Sequence, residues 1–315
     1  MARSTGVSYP AVAPSEIGSL PIPVLHLVDQ RAIADFLDEK TAAIDALIAK
    51  KERLIDLIEE KRQAAITRAV TKGLNPDVPM KDSGVEWLGE VPDHWQVTRL
   101  KFGLQRIEQG WSPACENRPA AEDEWGVMRA GCVNGSEFNP NDNKALPAGV
   151  EPLSEYEIRP GDVLMSRANT RALLGSAAMV GAVRPRLILC DKLYRLTPRK
   201  TRLVPEFLVF LLSAWPARYQ LERDATGASS SMQNIGQDTV LNLVLPVPSV
   251  AEQRQIAGAM QKQNRSYQES KRHLQNSIIR LQEYRQTLIS AAVTGQIDVR
   301  SRSTRANRVL EEALA

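Results

Sequence analysis

Gln30-Arg31-Ala32-Ile33-Ala34-Asp35-Phe36-Leu37-Asp38 opens the stretch that decides how this 315-residue chain is built, because it returns near the other end as Gln253-Arg254-Gln255-Ile256-Ala257. From each Gln-Arg pair the two copies align without a gap to a closing Val-Thr, Val70-Thr71 in one and Val293-Thr294 in the other. The likeness also reaches upstream. Thr5-Gly6, Ile17-Gly18 and Leu20-Pro21-Ile22-Pro23-Val24 precede the first copy, as Thr226-Gly227, Ile235-Gly236 and Leu245-Pro246-Val247-Pro248 precede the second. Self-similarity of this kind marks a repeated structural unit.

Both copies read as helices. Neither contains proline, and both are rich in Ala, Leu, Glu, Lys, Gln and Arg. Each follows a Pro-x-Pro that the proline rings hold extended. Alternating steps of four and three from Leu37 pass through Ile44, Ile48, Ile55 and Ile58, and the equivalent steps in the second copy pass through Leu274, Ile278, Leu281 and Leu288. These are heptad seams, with polar residues such as Arg62 and Arg285 at matching positions. A helix of ~42 residues at ~1.5 Å each is roughly 60 Å long, too long to hide in a small domain. The expected fold is therefore α+β: one mixed domain plus two long helices packed on each other as an antiparallel coiled coil.

The segment between the copies carries short apolar runs bounded by Gly, Pro and Asn, at 161–166, 177–183 and 187–196, which predict strands. Pro205 begins a helix. A hydrophobic share of 43% suits a globular chain, and a net charge of +3 permits a nucleic-acid partner without demanding one. Cys115, Cys132 and Cys190 lie far apart with no CxxC and read as reduced thiols. No apolar run nears the ~18 residues of a membrane span, and Met1 to Tyr9 lack the apolar core of a signal peptide. The expected location is cytoplasmic, with no membrane partner.

Catalytic and metal-binding patterns are missing from the sequence. His26, His94 and His273 fall in separate segments without metal-ligand spacing, and there is no G-x-G-x-x-G, Walker A or G-x-S-x-G motif. Charge is more informative. Ten bases lie between Arg159 and Arg202 against only Asp162 and Asp191, whereas Glu108 to Glu157 has the opposite bias. Such a basic run serves phosphate neutralisation or, equally, salt bridges within the domain. Two polar loops carry donors and acceptors suited to base edges and phosphates. One offers Ser166, Arg167, Asn169, Thr170 and Arg171, and the other Ser229, Ser230, Ser231, Gln233 and Asn234. Arg129, Asn134, Lys192 and Arg195 complete the candidate DNA-binding set, though loops of this composition are also ordinary turns.

The connector Met80-Lys81-Asp82-Ser83-Gly84-Val85-Glu86-Trp87-Leu88-Gly89-Glu90-Val91-Pro92-Asp93-His94-Trp95 closely resembles the entry to a target-recognition domain in specificity subunits of type I restriction-modification systems. Gln30 to Asp38 resembles the start of that family's central spacer helix, Gln253 to Ile256 that of the distal one, and Thr226 to Gly236 the last polar loop of such a domain. The resemblance implies a closing edge of a first recognition domain at 1–24, a spacer helix at 25–74, a connector at 75–95, a recognition domain at 96–250, a second spacer helix at 251–297 and a tail at 298–315. A full subunit alternates two recognition domains with two spacers, so the likeness is to a half-length or N-terminally truncated form.

It further implies a non-catalytic chain that reads one half of a bipartite site on double-stranded DNA. S-adenosylmethionine, ATP and Mg would then belong only to partner methyltransferase (M) and restriction (R) subunits. A homodimer through the spacer helices is a further expected association. Trp87 and Trp95 have two readings, packing of the connector or docking of the methyltransferase. For the whole chain the alternative is an assembly adaptor or decoy that binds methyltransferase subunits without specifying DNA.

Overall fold

A computed structural model describes residues 13–22, 24–229 and 232–299; Thr5-Gly6 and residues 300–315 fall outside the described residues. The chain separates into two compact units. One gathers residues up to Leu57 with those from Ser270 on, and the other spans Ile58–Glu269. In chain order the described helices are α1 (Pro14–Gly18), α2 (Leu27–Lys72), α3 (Pro205–Ser213), α4 (Trp215–Arg223), α5 (Gln237–Leu241) and α6 (Val250–Val293). The first seven strands are β1 (Met80–Asp82), β2 (Glu90–Pro92), β3 (Gln96–Arg99), β4 (Leu104–Gln109), β5 (Gly126–Met128), β6 (Asn143–Ala145) and β7 (Val163–Ser166). The remainder are β8 (Ala168–Asn169), β9 (Ala177–Met179), β10 (Leu187–Ile188), β11 (Leu193–Pro198), β12 (Thr226–Ser229), β13 (Met232–Asn234) and β14 (Val244–Val247).

In the helical unit, the α2 and α6 seams meet within one chain. Ile44, Leu281 and Leu288 form a buried cluster flanked by Phe36, Leu37, Leu47, Ile48 and Tyr284, and Arg285 pairs with Asp45 at 2.9 Å. Ile55, Leu274 and Ile278 are half-buried. In the other unit Ile58 is half-buried, and Arg62 Nε donates to Asn264 Oδ1 at 2.5 Å while Nη1 donates to Glu59 Oε1 at 2.7 Å. Position 45 facing 285 and position 62 facing 264 make the pair antiparallel. Gly258 sits exposed inside α6 without interrupting it, since its cost of about 1 kcal/mol is small beside a helix this long. Within one chain, the two seams thus fill one another. Because Ile44 is only 2% exposed, Ile44→Val should cost about 1 kcal/mol. Faster amide exchange in this half of α2 and α6, with the Ile58–Glu269 unit unchanged, would register it.

The Ile58–Glu269 unit is built around the antiparallel sheet β4-β11-β7-β9. All four residues of β7 are buried, because the strand has a neighbour on each side and a core on each face. Alternation sorts its side chains: Val163 and Met165 enter one core, and Leu164 enters the other. Along β11, Tyr194 and Leu196 join the first core and Leu193 the second. The first core is closed by α3, which buries six consecutive residues, Phe207 to Leu212. The start of α6 contributes Ile256, Ala257 and Met260, and the end of α2 contributes Ile66, Ala69 and Val70. The second core rests on the smaller sheet β10-β5-β6.

The apolar run expected as one strand at 187–196 is two strands on different sheets. β10 pairs with β5 in parallel, and β11 pairs with β4 and β7. The break comes at Leu189 to Lys192, where Trp111 N–H donates to Leu189 O and Asp191 N–H to Ser112 Oγ. Gly110 crosses there so closely that a Cβ would overlap the Leu189 carbonyl. At the connector, β1 and β2 form a hairpin, and buried Trp95 donates its indole N–H to Glu252 Oε1 at 3.1 Å.

Candidate nucleic-acid interface

The two polar loops singled out in the sequence are joined by main-chain pairing. β13 lies between β12 and β8, with Gln233 opposite Asn169 and Asn234 opposite Ala168. Ile235 N–H donates to Arg167 O at 2.8 Å and Arg167 N–H to Lys192 O at 2.9 Å, so the second loop, the first loop and Lys192 share one hydrogen-bonded frame. The frame is anchored by the buried Tyr194 hydroxyl, which donates to Ile235 O at 2.9 Å. Arg167 lies over the Tyr194 ring at 5.7 Å and donates to Asp191 O at 3.3 Å. Asn169 Nδ2 reaches Asn134 Oδ1 at 3.5 Å, bringing a third segment to the same place.

Beside this frame runs a groove of about 540 Å³ lined by Ser112, Arg129, Asp142, Lys144, Asn169, Lys192 and Met232, among others. Lys144 and Lys192 have no ion-pair partner among the described residues, and Arg129 is 56% exposed with only a loose 3.5 Å contact to Asp142. Three cations against one carboxylate leave the groove positive, which favours a polyanion. Thr170 and Arg171 are exposed at its edge of the frame, Arg171 lying 3.6 Å from Glu222. Gln233 and Asn234 are half-buried in β13. Ser230 and Ser231 lie outside the described residues, and Ser229 is described only as the backbone end of β12.

Two candidates occupy interior positions and are corrected. Ser166 is 0% exposed, because it ends the central strand β7, and its hydroxyl accepts from Asn169 at 3.4 Å. Arg195 is 7% exposed. It bonds Glu108 at 3.0 and 3.3 Å, the carbonyls of Glu155 and Glu157 at 2.9 Å each and Asp162 at 3.5 Å, so all five donors are engaged and none is left for a surface ligand. Other bases of the run also donate to main-chain carbonyls. Arg184 donates to Glu124 O, Arg186 to Asp123 O and Arg199 to Leu104 O. These carbonyl bonds leave Arg186 and Arg199 exposed and Arg184 half-buried, so Arg195 alone of the run from Arg159 to Arg202 is buried.

Ser112, Asp142, Lys144 and Met232 were missed by sequence reasoning. Asp142 and Lys144 sit in the polar stretch 139–144, which reads as a turn; only the antiparallel pairing of β6 with β5 brings it to the groove. The groove thiol Cys190 is no nucleophile, because burial pushes it up to about 12. Burial likewise raises Cys115 and Cys132 above the usual thiol range. Among the described residues there is no group of three or more His, Cys, Asp or Glu that could hold a metal ion, and no helix long and apolar enough to cross a membrane.

The fold and the groove define a class: a mixed α+β domain bearing a basic, loop-rimmed groove and joined to two long paired helices. Comparison with known proteins narrows it. The chain is 26% identical over 209 residues to the type I restriction enzyme EcoEI specificity subunit of Escherichia coli, covering 66% of this chain and 35% of that protein. It is 23% identical over 309 residues to the EcoKI specificity subunit of Escherichia coli strain K12, covering 95% of this chain and 62% of that protein. It thus spans less than two thirds of the length of these curated relatives. Among solved structures, a chain described for complex assembly and conformational transition of the type I R-M system shares the fold, with a TM-score of 0.65 at 20% identity over 91% of this chain and 65% of that one. No family model matches. The chain is thus similar to specificity subunits of type I restriction enzymes and shares the fold of a chain from a type I R-M system.

Proposed function

We propose that this chain is a non-catalytic DNA-recognition subunit that reads one half of a bipartite site through the groove beside β8 and β13. The carrying observation is the β8–β13 pairing, which sets the two polar loops side by side at a groove whose lysines have no ion-pair partner among the described residues. Phosphates would meet Arg129, Lys144, Lys192 and Arg171, releasing counterions. Base edges would meet Asn169, Gln233 and Asn234, whose amides both donate and accept. In this reading residues 96–250 form the recognition domain, and the paired helices are a spacer that fixes its distance from a second reader. Adenine methylation and ATP-driven cleavage would be carried by methyltransferase and restriction subunits bound to it, with S-adenosylmethionine, ATP and Mg held there.

A salt titration with duplex DNA tests the reading. Lys192→Ala and Arg129→Ala should each weaken binding across all sequences and reduce the slope of log affinity against log salt by about 0.9. Wild-type slopes in both variants, or no duplex binding by the wild type, would overturn it. Retained methyltransferase binding without any base preference would mark the chain as an adaptor instead.

A further inference from the structure

Asp142 poses a question that the groove's basic character does not answer. A carboxylate only accepts hydrogen bonds, and beside DNA phosphates it adds repulsion. Its main chain already does the structural work: Arg129 N–H donates to Asp142 O at 2.9 Å, extending the β5–β6 ladder. Among the described residues its side chain has one loose polar contact, 3.5 Å to Arg129 Nε. The next residue shows what a structural side chain looks like here. Asn143 is buried, accepts from Ala120 N–H at 2.9 Å and donates to Pro140 O at 2.8 Å. Asn143 is buried, whereas Asp142 and Lys144 on either side of it line the groove. Gly131 makes room for the carboxylate, since a Cβ there would overlap Asp142 Oδ2.

On the edges of DNA bases, the hydrogen-bond donors exposed in the major groove are exocyclic amines, N4 of cytosine and N6 of adenine. Resting on the proposed DNA reading of this groove, we infer that Asp142 is a specificity-determining residue, its carboxylate accepting from such an amine while Arg129 turns to a phosphate. The acceptor-only groove-facing group would then select an amine-bearing base at one position and reject guanine or thymine, whose major-groove edges present acceptors to it.

Binding selection from a randomised duplex pool, followed by sequencing, tests this with the full chain and its Asp142→Asn and Gly131→Ala variants, each checked for an unchanged melting transition. Asp142→Asn keeps the shape but supplies a donor, so the preference for an amine-bearing base at one position should fall roughly tenfold or more, with binding to unrelated DNA undiminished. Gly131→Ala should blunt the same position by displacing the carboxylate. If Asp142→Asn recovers the wild-type motif at every position, the inference fails while DNA reading by the groove stands. If the wild type itself recovers no motif, both fail.

Discussion

Replacing Arg195 with alanine is expected to destabilise the Ile58–Glu269 unit by about 3–5 kcal/mol, the usual cost of stranding one member of a buried ion pair. Arg195 stands on β11, directly opposite Glu108 on β4, and the side chains are 8% and 17% exposed. Without the guanidinium, Glu108 keeps only its exposed partner Arg106, and the carbonyls of Glu155 and Glu157 lose their donor. Urea unfolding would measure the loss, and a midpoint shift below 1 kcal/mol would contradict it. A matched apolar pair, Arg195→Met with Glu108→Leu, should recover most of the stability, because it removes both desolvation penalties together.

The same pair gives a pH signature. Burial alone would raise the Glu108 pKa, but hydrogen bonds and charge from Arg195 and Arg106 outweigh it and hold the carboxyl below the usual glutamate range. A carboxyl lowered in the folded state contributes stability that is fully present above its unfolded value, about 4.3, and is lost as pH falls through the folded value. Glu108→Gln should therefore flatten the acid side of the stability profile below that range while lowering stability at neutral pH.

Gln253→Ala is expected to cost about 3 kcal/mol, since a buried polar group left unpaired costs about 1–3 kcal/mol. Gln253 is 0% exposed. Its amide oxygen accepts from Val204 N–H at 2.8 Å, and its nitrogen donates to Arg202 O and Pro248 O at 2.8 and 2.9 Å. It thereby clamps the start of α3 to the start of α6. Gln30, the same residue of the first repeat, is exposed and donates to Leu25 O at 2.8 Å, so Gln30→Ala should cost less than about 1 kcal/mol. Thermal melts of the two variants would test the contrast; equal shifts would refute it.

The paired glutamines show how far the chain could be read before folding. The repeat and its helical period were visible because they are local: steps of three and four along one stretch settle which side chains share a face. The seam positions Leu37, Ile44, Ile48, Leu281 and Leu288 belong to that local information, and so do the polar loops around Arg167 and Gln233. That Gln253 is a clamp and Gln30 is not depends on Val204 and Arg202, some fifty residues away from Gln253.

The groove shows the same division. Nothing in the run from Arg159 to Arg202 separates Lys192, which is exposed, from Arg195, which is buried against Glu108. Lys192 lies in the break before β11, whereas Arg195 lies within it, paired between β4 and β7. Asp142, Lys144 and Ser112 reach the groove only through strand pairing across long loops. Residue order alone settled the helices, their seam and the two polar loops, because each is written in short-range period and composition. Which charges face solvent and which segments meet was decided by tertiary packing, because burial and main-chain pairing join residues that local pattern cannot connect.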